Sequence, residues 1–159
     1  MPKRKQGCCS VRLAVNLRTI RRRRGLSTYD LADRLTGIGW PIHQTGLVRI
    51  ETGERAVTVD DLLAIAIVLD CSPAALLMPG DVAAPDDSGA VPQFEVVSSQ
   101  TIAAGPDMWR WAASEAPLIL RDQDGGPVDR HLSVRDEVLW LIENRPHRSA
   151  ELLATLRRA

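Results

Sequence analysis

Gln44, Thr45 and Arg49 stand within six residues of one another, interleaved with Leu47 and Ile50. If the two apolar residues face inward on a helix, the polar ones and Val48 lie on or beside its outward face. Those side chains suit the edges of bases. Glutamine can bond adenine through two hydrogen bonds, arginine can do the same with guanine, and threonine can bond a base or touch a thymine methyl. The runs Arg21-Arg22-Arg23-Arg24 and Lys3-Arg4-Lys5 suit a polyanion. Each phosphate neutralised steepens salt dependence by about 0.9 log units per log unit of salt. A solvated basic helix end, favoured by the helix dipole, fits the same arginine run.

Constellations for catalysis do not form. His43, His131 and His147 are scattered, and no His-Glu-x-x-His, nucleophile elbow or phosphate-cradling glycine loop occurs. Cys8 and Cys9 lie in a basic segment that could favour a thiolate, but no partner base accompanies them. With Cys71 they make neither a disulfide framework nor a zinc ligand set. Asp60-Asp61 reads as a helix first turn and Asp86-Asp87 as linker. The expectation is no enzyme, no metal and no cofactor. Four tryptophans (Trp40, Trp109, Trp111, Trp140) read as packing. A base-stacking platform is the sharper alternative, and the lack of interleaved basic residues beyond Arg110 speaks against it.

Five helices are expected to position the polar face. The first spans 10–24, capped by Ser10, with Leu13, Leu17 and Ile20 inward and Gly25 as a left-handed stop. Ser27-Thr28-Tyr29-Asp30 is a capping box opening a second helix with Leu31, Ala32 and Leu35 inside. Two glycines and a proline in 36–41 break it. The third runs from about Gln44 to Glu51 and ends at Gly53. Thr58 and Asp61 cap a fourth, apolar at Leu62, Leu63, Ile65, Ala66 and Leu69. Ser72-Pro73 starts a short fifth that ends near Met78. Two short consecutive helices joined by a glycine-containing turn are the layout of a helix-turn-helix, whose second helix lies in the major groove.

The 159 residues, 45% apolar and 25% charged, have a globular composition and no net charge. The balance hides a division. Residues 1–80 carry 12 Lys+Arg against 7 acids, and residues 81–159 carry 8 against 13. Such asymmetry hints at a polyanion-binding module joined to something else. The expected organisation is a basic tail (1–9), a helix-turn-helix domain (10–79), a Gly/Pro/Asp/Ala linker (80–92) and an interaction or oligomerisation region (93–159). In the last region Phe94 to Ser98 and Leu118 to Leu120 read as strands. Pro106-Asp107 opens a helix with Trp109, Ala112 and Ala113 on one side. Asp124 to Pro127 reads as a turn. Ser133 caps a helix with Val138, Leu141 and Ile142 inward, ended by Pro146, and Ser149 caps a last one over 149–158. The fold class is mainly α: a five-helix unit plus a small α(+β) segment. No stretch nears the roughly 18 apolar residues of a membrane helix. The basic N-terminus has no apolar signal core behind it. A cytoplasmic, nucleoid-associated protein without membrane contact is expected.

From about Leu13 to Leu77 the chain resembles the phage-repressor, or Xre-like, helix-turn-helix family. The likeness rests on Ile20-Arg21, Gly25-Leu26-Ser27, Leu31-Ala32, Leu47-Val48-Arg49-Ile50-Glu51-Thr52-Gly53 and the Leu62…Ala66…Leu69…Ser72-Pro73…Leu76-Leu77 tail. The resemblance implies a λ-repressor-like fold and a DNA-binding transcriptional regulator, a repressor acting as a homodimer on a two-fold operator in double-stranded DNA. It implies base contacts from Gln44, Thr45 and Arg49, and phosphate contacts from His43, Thr52 and Arg55. Arg22 and Arg23 add phosphate contacts of their own. Thr28 falls where the family commonly has a backbone-bonding glutamine. Arg21 and Glu51 align with a structural salt bridge between the first and third helices. Two features depart from the pattern. The turn before the third helix is about five residues longer than usual, and Gly46 stands where a small hydroxyl residue is common. Glycine costs about 1 kcal/mol within a helix; Gly46 either permits close approach to the DNA backbone or is simply tolerated.

Trp109-Arg110-Trp111-Ala112, followed by Pro117-Leu118, resembles a tail on short Xre-like regulators of high-GC actinobacteria, and carries no function with it. Two other functions stay open. One is an antitoxin or similar interaction protein whose acidic second half binds a partner protein. The other is a regulator sensing a small molecule through that half.

Overall fold

The computed structural model describes residues 7–80, 91–122, 126, 128 and 134–145. They divide into two compact units, Met1–Asp81 and Val82–Ala159. The tail before Gly7, most of the linker and the helix expected over 149–158 lie outside the described residues, as do Ser133 and Pro146.

The first unit is built of five helices: α1 (Cys8–Arg23), α2 (Thr28–Gly37), α3 (Gln44–Glu51), α4 (Val59–Val68) and α5 (Pro73–Leu77). Four are started by side chains that accept a backbone N–H from the first turn: Ser27 from Asp30, His43 from Thr45, Thr58 from Asp61 and Ser72 from Ala75. Asp30 and Asp61 return the bond to the capping residue's own N–H, which completes two capping boxes. Caps of this kind contribute about 1 kcal/mol each. The α1 start differs from expectation. Gly7 takes the cap position with no side-chain bond, its carbonyl accepts from Ser10 and Val11, and Cys8 and Cys9 therefore lie inside the helix.

One core unites these helices. Leu17, Leu31, Leu35, Leu47, Ile65, Leu69 and Leu76 are wholly buried, joined by Leu13, Leu26, Ile42 and Ile50. Truncating any large member to alanine costs about 2–5 kcal/mol. Asn16 is buried among them because its amide donates to Leu76 O (3.2 Å) and Met78 O (2.7 Å). These bonds satisfy carbonyls that the end of α5 leaves unpaired, and Arg12 does the same for Leu77 O.

The second unit holds β1 (Gln93–Glu95), β2 (Ile102–Ala104), α6 (Gly105–Ala112) and α7 (Val134–Asn144). β1 and β2 form an antiparallel pair with Phe94 opposite Ala103. The strand expected over 94–98 is limited to Gln93–Glu95, and β2 is a strand that the sequence pattern does not mark. The chain turns instead at Ser98–Thr101, where the Thr101 hydroxyl accepts from the N–H groups of Val97 and Ser98. Leu118–Leu120 is not a strand; only Arg121, just beyond it, bridges to Ile102. On the side of α6 expected to carry Trp109, Ala112 and Ala113, Trp109 and Ala112 are half-buried and Ala113, the residue just past the helix, is exposed. Met108, absent from that expectation, is fully buried, while Trp111 is exposed. In α7 Val138 is buried, and Leu141 and Ile142 are half-buried. Across the described residues the chain is mainly helical, with seven helices and one two-stranded sheet. No helix among them is long and apolar enough to cross a membrane.

Candidate nucleic-acid interface

α2 is closed just past its end by Gly39, whose φ of +80° lets the Gly39 and Trp40 N–H groups bond back to Thr36 O and Leu35 O. Residues 38–43 then carry the chain to α3. This long turn is pinned at two points. Ile42 enters the core, and the Trp40 indole N–H donates to Asp61 Oδ1 at 3.0 Å. His43 caps α3, with Nδ1 accepting from the Thr45 amide at 3.4 Å and lying 2.9 Å from the Thr45 hydroxyl. Gly53, at φ +75°, closes α3 in the same manner as Gly39 closes α2.

Helical spacing then sorts the α3 side chains. Leu47 and Ile50 are 0% and 1% exposed, while Thr45, Val48 and Arg49 face outward. Gln44 is half-buried, and its amide donates to the Thr28 hydroxyl at 3.2 Å. That bond ties the first residues of α2 and α3 together. Arg49 is well exposed and lies 3.8 Å from the equally exposed Glu54. An exposed pair of this kind is worth about 0–1 kcal/mol, so it yields readily to a better acceptor. The Thr52 hydroxyl donates to Arg49 O at 3.3 Å.

Arg21 and Glu51 join α1 to α3 through two bonds, Nε–Oε1 at 2.6 Å and Nη2–Oε2 at 2.9 Å. The hydrogen bond with Glu51 raises the Arg21 pKa; burial opposes this and the Glu51 charge adds to it. Arg22 and Arg23 are exposed in the last turn of α1. The four-arginine run is therefore not one patch. Arg21 is buried, and Arg24 donates to Asp70 O at 2.6 Å.

Arg55 is half-buried. Its Nη2 lies 3.3 Å from Asp61 Oδ2, and its Nη1 lies 2.7 Å from where a Cβ on Gly46 would sit. Asp61 is the most connected carboxylate here. Burial pushes its pKa up, but the Trp40 indole, the Thr58 amide, the Arg55 charge and the Thr58 hydroxyl together hold it below the usual carboxylate range. Asp61 caps α4 as its sequence context predicts, and it also meets Trp40, which the sequence marks only for packing. The only signal of their meeting was the unusual length of the turn.

A polar, outward-facing helix held at its start by α2 and at its end by α1 is the geometry of a helix-turn-helix. Residues 17–76 match the family model described as helix-turn-helix, HTH_3, and are a helix-turn-helix domain of that Xre-like family. Among solved structures the chain is similar to the restriction-modification controller protein C.AhdI from Aeromonas hydrophila (28% identity, 42% of this chain and 94% of that one, TM-score 0.38). It is also similar to the DNA-binding domain of BldD (29% identity, 46% and 99%, TM-score 0.40). A third likeness is to an HTH_3 family transcriptional regulator from Vibrio cholerae (32% identity, 50% and 45%, TM-score 0.38), of which the chain covers less than half. No curated protein matches the chain. Among the described residues no group of three or more His, Cys, Asp or Glu side chains could hold a metal ion.

Proposed function

We propose that this protein is a sequence-selective DNA-binding transcriptional regulator, a repressor that places α3 in the major groove of a two-fold operator. The observation that carries the reading is the sorting of α3. Its apolar side chains anchor it in the core while Thr45, Val48 and Arg49 project outward, and Gln44 sits at its N-terminal end, where base edges are reached. In this arrangement Arg49 bonds guanine, Gln44 adenine, and Thr45 and Val48 contact a base or a thymine methyl. His43, Thr28 and Thr52 flank these residues and meet phosphates. Arg22 and Arg23 supply attraction that is indifferent to sequence.

A homodimer fits the same reading. Val59, Leu63 and Ile67 form an exposed apolar row at four-residue spacing along α4. Two-fold recognition sets the half-sites one helical turn apart, about 34–36 Å.

Selection of bound duplexes from a random DNA pool tests the proposal. Enrichment of a palindrome with that spacing is the expected result. Recovery of sequences no different from the input pool overturns it.

A further inference from the structure

The core contacts of Leu47 and Ile50 fix how deeply α3 sits, and the Arg21–Glu51 pair fixes its C-terminal end. Its N-terminal half, where Gln44 and Thr45 stand, is tied to α2 by the Gln44 amide donating to the Thr28 hydroxyl. Three observations converge on that half. The turn entering α3 is tied to α4 by Trp40 donating to Asp61 Oδ1. The loop leaving α3 is tied to the other oxygen of the same carboxylate by Arg55. The Arg55 guanidinium then lies against α3 at Gly46, in space that any Cβ would occupy.

We propose that Asp61 is a shared anchor through which Trp40 and Arg55 position α3 for reading bases, with Gly46 as the notch that admits the guanidinium. Arg55 is thus a positioning residue and not a phosphate contact. This rests on the proposed DNA-binding function, but it makes a separate demand. A point charge would serve as a phosphate contact, whereas only a planar fork can bond Asp61 with one nitrogen while another lies under Gly46. The single carboxylate also explains why the long turn does not loosen the helix pair. Both connections of α3 close on the first turn of α4, which its own capping box holds rigid.

The test uses the full chain as wild type, Trp40→Phe, Arg55→Gln and Arg55→Lys. Each is titrated with the selected duplex and with a random duplex over several salt concentrations. Amide hydrogen exchange is followed over residues 44–51. Trp40→Phe keeps the ring and loses only the donor, so it preserves the fold best. The expected result is faster exchange in 44–51 for all three variants. The ratio of selected to random affinity should fall by about fivefold or more, the low end for one misplaced base contact. The salt slope should not change, and lysine should fail to rescue. A phosphate contact gives the opposite pattern. Arg55→Gln then weakens both duplexes alike and lowers the slope by about 0.9, and Arg55→Lys restores binding. That pattern, or unchanged exchange in 44–51, overturns the inference. If wild type shows no preference between duplexes, the DNA-reading proposal fails by itself, and the exchange data still decide whether Asp61 anchors α3.

Discussion

Arg21 grips Glu51 with two of its nitrogens and uses the third, Nη1, to donate to Leu26 O at 2.6 Å. One guanidinium thus binds α1, the turn before α2, and the last residue of α3. Both charged side chains are about nine-tenths buried. Removing one partner leaves the other uncompensated, which costs about 3–5 kcal/mol in comparable buried pairs. Glu51→Gln should therefore lower unfolding stability by about 3 kcal/mol in denaturant titration. The double change with Arg21→Met should cost clearly less than the sum of the single changes. Additive losses would contradict a direct pair.

Asp61 should make stability depend on acidity in a defined direction. Its folded pKa is depressed, so its contribution is complete above the unfolded value of about 3.9. It disappears as pH falls through the lower folded value. Asp30 is held low by the Ser27 hydroxyl and amide and acts with the same sign. Thermal midpoints measured from about pH 6 downward should fall more steeply for wild type than for Asp61→Asn. Parallel curves would mean that the carboxylate gains nothing from Trp40, Thr58 and Arg55.

Gly46 offers a test with an unusual sign. Alanine in place of glycine inside a helix ordinarily stabilises by about 1 kcal/mol. Here the new methyl would displace an arginine that Asp61 holds. Gly46→Ala alone should give no such gain in equilibrium unfolding, and the gain should reappear when Arg55→Ala is present as well. A full gain in the wild-type background would show that the guanidinium moves aside freely.

The helix-turn-helix was legible because its signals are local. The Ser27–Asp30 and Thr58–Asp61 boxes, the Ser72-Pro73 start and the glycine stops each mark a boundary within four residues. The alternation of Leu47 and Ile50 with polar residues sets the facing of α3 within eight residues. What escaped the sequence was long-range. Asn16 meets carbonyls 60 and 62 residues away, and Trp40 meets an aspartate 21 residues on. Periodicity carries no information on such pairs. The second unit escaped for another reason. Its strands are three residues long, Ile102-Ala103-Ala104 has a single β-branched residue, and no periodicity singles out Met108, which is fully buried.

Arg49 and Arg22 should separate base reading from phosphate attraction, and this comparison probes the central claim most directly. Both are exposed arginines of the same unit, one on the outward face of α3 and one at the end of α1. Arg22→Ala should weaken selected and random duplexes by the same factor and make the salt slope shallower by about 0.9. Arg49→Ala should cost about 1–3 kcal/mol on the selected duplex and much less on the random one. Equal losses on the two duplexes for Arg49→Ala would contradict the assignment of α3 as the helix that reads sequence.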